Sequence, residues 1–216
     1  IDIQSKEINI ETLLGFEEPD IQLDSFKINN QIIDLALALQ QSKRPIILAG
    51  HGIRLSGQID NFFNFCNRFN IPIVTTKNAM DIVHDDYELL AGRVGTYGQR
   101  AGNFAMQNAD LILSLGSRLS QPTTGYEFDL FAREAKVYVV DIDDNQLKYT
   151  NIKTADKINC DLNIFFEIFS HHDLNYKANI TWLRRCQEWR MKYPAVTDEM
   201  KNRKDYVNSY YFFEQL

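Results

Sequence analysis

No apolar run in the 216 residues approaches the roughly 18 that a spanning helix needs, which excludes a helical membrane protein. No basic stretch followed by an apolar one opens the sequence, so no secretory signal is read there. Positive charge is in short supply. The 23 Lys and Arg are outnumbered by 29 Asp and Glu, giving a formal charge of -6 with the two signs interleaved. Nucleic acid as a partner demands a basic face, so that class is excluded. Cysteine is scarce and odd in number: Cys66, Cys160 and Cys186, with no close pair and no CxxC or HxxxH spacing. A disulfide framework and a zinc site are thereby excluded, and buried free thiols in a cytoplasmic protein are expected. There is no GxSxG elbow of a serine hydrolase, no GxxxxGK[ST] phosphate loop and no GxGxxG. The four histidines (His51, His84, His171, His172) share no motif.

What is present is an alternation of helical and strand patterns. Residues 1–28 have weak periodicity and contain Pro19; they read as an extended interdomain linker. Asn29 and Asn30 are candidate caps for a helix with Ile32, Ile33, Leu35, Ala36 and Leu39 on its apolar face. Short runs apolar on both faces mark buried parallel strands at 45–49, 71–76, 111–115, 137–140 and 157–160. Helices are predicted from a cap at Ser56 through Phe69, at 99–108, at 162–170, at 180–192 and from Ser209 onward, while 77–98 reads as loop. The pattern predicts a three-layer α/β, Rossmann-like parallel sheet with helices on both faces over 29–172. A helical extension follows over 173–216. Ile1 in first place and the apolar stretch Tyr210–Leu216 at the end predict a segment of a longer chain.

Open parallel sheets bind ligands outside the carboxyl ends of their strands. That rule selects Gly50–His51–Gly52, Thr75–Thr76, Gly116–Ser117–Arg118, Asp141–Ile142–Asp143 and Asp161. Gly50 and Gly52 can let backbone amides approach a pyrophosphate. Arg118 can fork onto a phosphate, or make an ordinary surface ion pair. Asp141 can accept from ribose hydroxyls, and Asp161 can cap the helix at Leu162.

The segments Ala91–Ala105, Asn108–Leu111, Leu115–Leu119, Phe131–Ala135 and Val140–Asp143 resemble, in order and spacing, the middle domain of thiamine-diphosphate-dependent enzymes of the acetolactate synthase type. The resemblance covers roughly residues 30 to 170. It implies a parent of three α/β domains, the outer two holding thiamine diphosphate and Mg²⁺ outside this segment. For the middle domain it implies FAD, ADP or an empty site. The matching cofactor positions are Gly50, His51, Gly52, Thr76, Lys77, Arg93, Val94, Gly116, Ser117, Arg118, Asp141, Ile142 and Asp161; no catalytic or metal-binding residue is implied here. This sequence departs from FAD-binding members at Val94 and at Ser120–Pro122, which leaves FAD and ADP both open. The GDG…Asn-Asn motif for the thiamine diphosphate and its metal is missing, so no activity is expected from this segment by itself. Implied partners are the flanking thiamine-binding domains of the same chain and further copies in a homo-oligomer. The alternatives are a structural domain with a vestigial pocket that mediates assembly, and a free-standing Rossmann-like NAD enzyme.

Overall fold

The computed structural model describes residues 4–15, 24–150, 152 and 155–216. The linker expected over 1–28 lies partly on residues 1–3 and 16–23, outside that description. The first helix, α1 (Ser25–Gln41), is capped by the Asp24 side chain, which accepts from the Lys27 amide at 3.0 Å. Asn29 and Asn30 therefore lie inside α1 and are not its cap. The reason is Ile28, which is buried and starts the apolar stripe a turn before Ile32.

The chain continues through β1 (Pro45–Ala49), α2 (Gly52–Leu55), α3 (Ile59–Phe69), β2 (Ile73–Thr75), β3 (Leu90–Arg93), α4 (Arg100–Asn108), β4 (Leu111–Leu115), α5 (Gln121–Thr124), β5 (Lys136–Asp141), α6 (Asp144–Lys148), β6 (Asp156–Asn159), α7 (Leu162–His171), α8 (Ile180–Lys192), α9 (Asp198–Lys201) and α10 (Ser209–Glu214). Two details differ from expectation. Ser56 closes α2, and Gln58 precedes α3 without a side-chain cap. β3 lies inside the stretch read as loop. It has four residues, contains Gly92 at φ 136°, and shifts register against β2, so no periodicity announces it.

All strand pairs are parallel, in the order β3-β2-β1-β4-β5-β6. The chain starts at the centre, winds to one edge, then crosses back to build the other half. Alternate strand residues face opposite layers. Ile47, Ala49, Leu113, Leu115, Tyr138 and Val140 pack under α1, α3 and α7. Ile46, Leu48, Val74, Ile112 and Val139 pack under α4, α6 and α8. Helices thus cover both faces, as the continuous apolar strands require.

The first layer is held by aromatics. Phe65, Phe69, Phe165 and Phe169 meet at ring separations of 5.0 to 6.0 Å, joining α3 to α7. At the sheet edges, outward carbonyls are met by long polar side chains. Gln31 Nε2 donates to the Lys157 carbonyl on β6, and Arg190 Nη1 to that of Leu90 on β3. Side chains thus occupy positions that would otherwise template another strand. No described helix is long and apolar enough to cross a membrane.

Phe169 is 1% exposed. Phe169→Ala is expected to destabilise the chain by about 3–5 kcal/mol, read as a lowered midpoint of urea unfolding with unchanged slope.

Candidate functional site

The strand order reverses between β1 and β4, and a doubly wound sheet opens its crevice at that point. Here the two strand ends meet backbone to backbone. The Gly50 amide donates to the Leu115 carbonyl at 2.9 Å and the Gly52 amide to the Gly116 carbonyl at 3.0 Å. A Cβ on Gly50 would fall 2.1 Å from the Gly116 oxygen, and Gly116 itself sits at φ 58°. The glycines thus serve this junction, and the amides of Gly50 and Gly52 are spent within it. His51 turns toward the β2 loop, its Nδ1 2.8 Å from the Asn78 carbonyl.

The topology carries the other sequence-selected residues to the same edge. Thr76 is buried after β2, its amide bonded to the Ala49 carbonyl at 3.0 Å, and Lys77 follows, exposed. Arg93 ends β3 with Nη2 2.8 Å from Asp85 Oδ1. Val94 is buried, and its amide extends the pairing to Thr75. Ser117 is buried and Arg118 exposed. Asp141 ends β5, accepts from the Asp143 amide at 3.0 Å, and is followed by exposed Ile142. Asp161 caps α7 by accepting from the Asn163 amide at 2.7 Å. Lys77 and Arg118 are the charged groups of this set with open side chains; Val94 contributes to the core.

Asp141 is the electrostatically distinctive residue. Burial pushes its carboxyl above the ordinary carboxylate range. The Asp143 amide opposes that shift, the Asp143 charge adds to it, and the positive charge of Arg118 opposes it. The folded state therefore holds this proton more tightly than the unfolded chain. The stability so contributed is complete below the unfolded value and is lost as pH rises through the folded one.

Sequence reasoning overlooked how the loops after β3 and β4 are joined. The Thr96 amide donates to the Pro122 carbonyl at 2.8 Å, although β2 and β1 stand between these strands. Asn103 closes on Gly95 in both directions, at 2.9 and 3.1 Å. Gln99 does the same to Arg93, with Oε1 accepting from its amide and the Gln99 amide donating to its carbonyl. The repeated glycines of 92–102 were the available signal for this packing. Leu119, 1% exposed at φ 48°, and Tyr97, 89% exposed, also lie on these loops. A cleft of about 520 Å³ lies elsewhere, between residues 85–88, α8 and residues 193–196, and shares no residue with the strand-end set.

The thiols are free and buried, and burial pushes Cys160 and Cys186 up to about 12, far from nucleophilic. Among the described residues no group of three or more His, Cys, Asp or Glu is placed to hold a metal ion. Along the carboxyl edge of the sheet stand the half-buried Asp141 carboxylate and the exposed cations Lys77 and Arg118.

Fold and edge together define a doubly wound, Rossmann-type α/β domain. The profile of the thiamine pyrophosphate enzyme central domain matches residues 32–167, and the chain belongs to that family. It is similar to the acetolactate synthase large subunit of Porphyra purpurea, 29% identical over 172 residues, which are 78% of this chain and 29% of that protein. It is 31% identical to the Lactococcus lactis large subunit over 147 residues, 66% of this chain and 25% of that protein. Acetolactate synthase isozyme 2 large subunit of Escherichia coli is 26% identical over 160 residues, 73% of this chain and 29% of that protein. The chain spans less than a third of the length of these relatives.

Two outcomes are expected. Gly50→Ala drives a methyl into the Gly116 carbonyl and lowers stability by about 1–3 kcal/mol, measured by chemical denaturation. Asp141→Asn keeps an acceptor for the Asp143 amide and removes the desolvated charge. It should raise Tm at pH 7 and flatten the decline of wild-type stability from acid toward neutral pH, both read by thermal scans across pH.

Proposed function

We propose that this chain is the nucleotide-holding and scaffolding central domain of a thiamine-diphosphate-dependent enzyme of the acetolactate synthase type. The carboligase or lyase chemistry of the whole enzyme, with thiamine diphosphate and Mg²⁺, resides in flanking domains; this domain alone turns over no substrate. The family match and the names of its relatives support the enzyme class. The observation that carries the nucleotide assignment is the half-buried Asp141 within electrostatic reach of Arg118 at the carboxyl edge of β4 and β5. A carboxylate left partly desolvated lowers stability at neutral pH, and a ribose supplies the hydroxyl donors that offset this. FAD and ADP share the adenosine diphosphate that such an edge would hold. The enzyme is a cytoplasmic homo-oligomer in this reading, consistent with three free thiols.

One observation favours a second reading. The spent amides of Gly50 and Gly52 leave the switch point with fewer donors than a pyrophosphate site usually offers, as in a vestigial pocket kept for packing. Calorimetric titration separates the two. Binding of ADP or FAD with Kd below about 1 mM is expected, weakened about tenfold or more by Arg118→Gln. No heat from either ligand at that concentration would leave the vestigial pocket as the reading that stands.

A further inference from the structure

β3 is an edge strand, paired by β2 on one side and irregular in register there. Its other side is held by α8, which lies beyond the residues matched to the family. Gln187 Nε2 donates to the Glu88 carbonyl at 3.2 Å and Arg190 Nη1 to the Leu90 carbonyl at 2.9 Å. The second arm of the same guanidinium, Nη2, reaches the Asp85 carbonyl at 2.5 Å. One planar fork thus ties the strand to the segment that leads into it.

Asp85 passes this constraint to the strand end. Its carboxylate lies 2.8 Å from Nη2 of Arg93, the last residue of β3. A guanidinium carries five N–H donors. The Nε of Arg93 is buried and meets no acceptor among the described residues. A buried donor without an acceptor is costly. Nη1, which meets no acceptor among the described residues and is not closed off, is the donor open to an anionic oxygen at the strand end. Asp85 thereby orients Arg93 without consuming its remaining donors.

We propose that Arg190 is a positioning residue for the candidate ligand edge: acting through Asp85, it holds the Arg93 guanidinium where its free donors meet the diphosphate of a bound nucleotide. The inference rests on the nucleotide-holding reading. It assigns a role in that site to the helical extension that follows the family's matched residues.

The test is calorimetric titration of ADP into the wild-type chain, Arg190→Gln, Arg93→Gln and the double variant, at a temperature where each retains its circular dichroism. Arg190→Gln is expected to weaken ADP about five- to tenfold, and Arg93→Gln about tenfold or more. The double variant should bind no more weakly than Arg93→Gln, because Arg190 acts through that side chain. Arg190→Lys, which keeps the charge and one of the two bonds, should recover part of the loss. The same further loss on the Arg93→Gln background would overturn the proposal, since Arg190 would then support only the fold. Unchanged ADP affinity in Arg190→Gln would overturn it while leaving the nucleotide reading intact. A wild-type chain that binds no ADP overturns it too, and if FAD also fails the nucleotide reading falls with it. Should Arg190→Gln unfold, Asp85→Asn takes its place: a similar loss is expected, and unchanged affinity would overturn the proposal.

Discussion

The backbone contact between the end of β1 and the end of β4 is the constraint on which the molecule turns. Two halves of a parallel sheet, wound in opposite directions from the centre, must meet there. They meet through amide-to-carbonyl bonds from Gly50 and Gly52, at a separation no side chain permits. The left-handed backbone of Gly116 lets the second loop turn away after the contact. This junction sets how the two halves sit side by side, and hence where Arg118 and Asp141 stand relative to Thr76 and Lys77. It also withdraws two amides from ligand chemistry. What remains for a ligand at this edge is mostly side-chain chemistry, in contrast to sites built on a free glycine-rich turn.

Outside that junction, the sheet is finished by polar side chains acting as substitutes for neighbouring strands. Gln31 does this for β6, and Gln187 and Arg190 do it for β3. These residues protect edges, but on the β3 side they do more, because β3 is short and carries Arg93 at its end. A helix with no part in the sheet's central layer is thereby tied to the strand that carries Arg93. The loop bond from Thr96 to Pro122 and the paired bonds of Asn103 to Gly95 act in the same sense. Much of the segment that carries the family resemblance is occupied with fixing α4 against the end of β3.

Asp141 carries an electrostatic cost at this edge. Desolvation makes its charged form unfavourable, and the Arg118 charge only partly offsets this. A core optimised for stability alone would not keep a carboxylate there. The nucleotide proposed for this edge would bring the hydroxyl donors that the carboxylate lacks.

The apolar runs at 45–49 and 111–115, buried on both faces, determined by themselves that the protein is a parallel α/β sheet. The strand-end rule then marked one edge, and the motif series from Ala91 to Asp143 determined the family. Asp161 as a helix cap was equally legible, because a cap is a local interaction between neighbours in sequence. β3 was not legible, since four residues around a glycine hold their strand form only through β2 and α8. Nor was the start of α1 at Asp24, which depends on Ile28 finding a core to enter. The tertiary structure alone decided what the glycines do and which charges stay available. A glycine permits a close approach, but only the other chain segment determines whether that approach is made by a ligand or by the protein's own backbone.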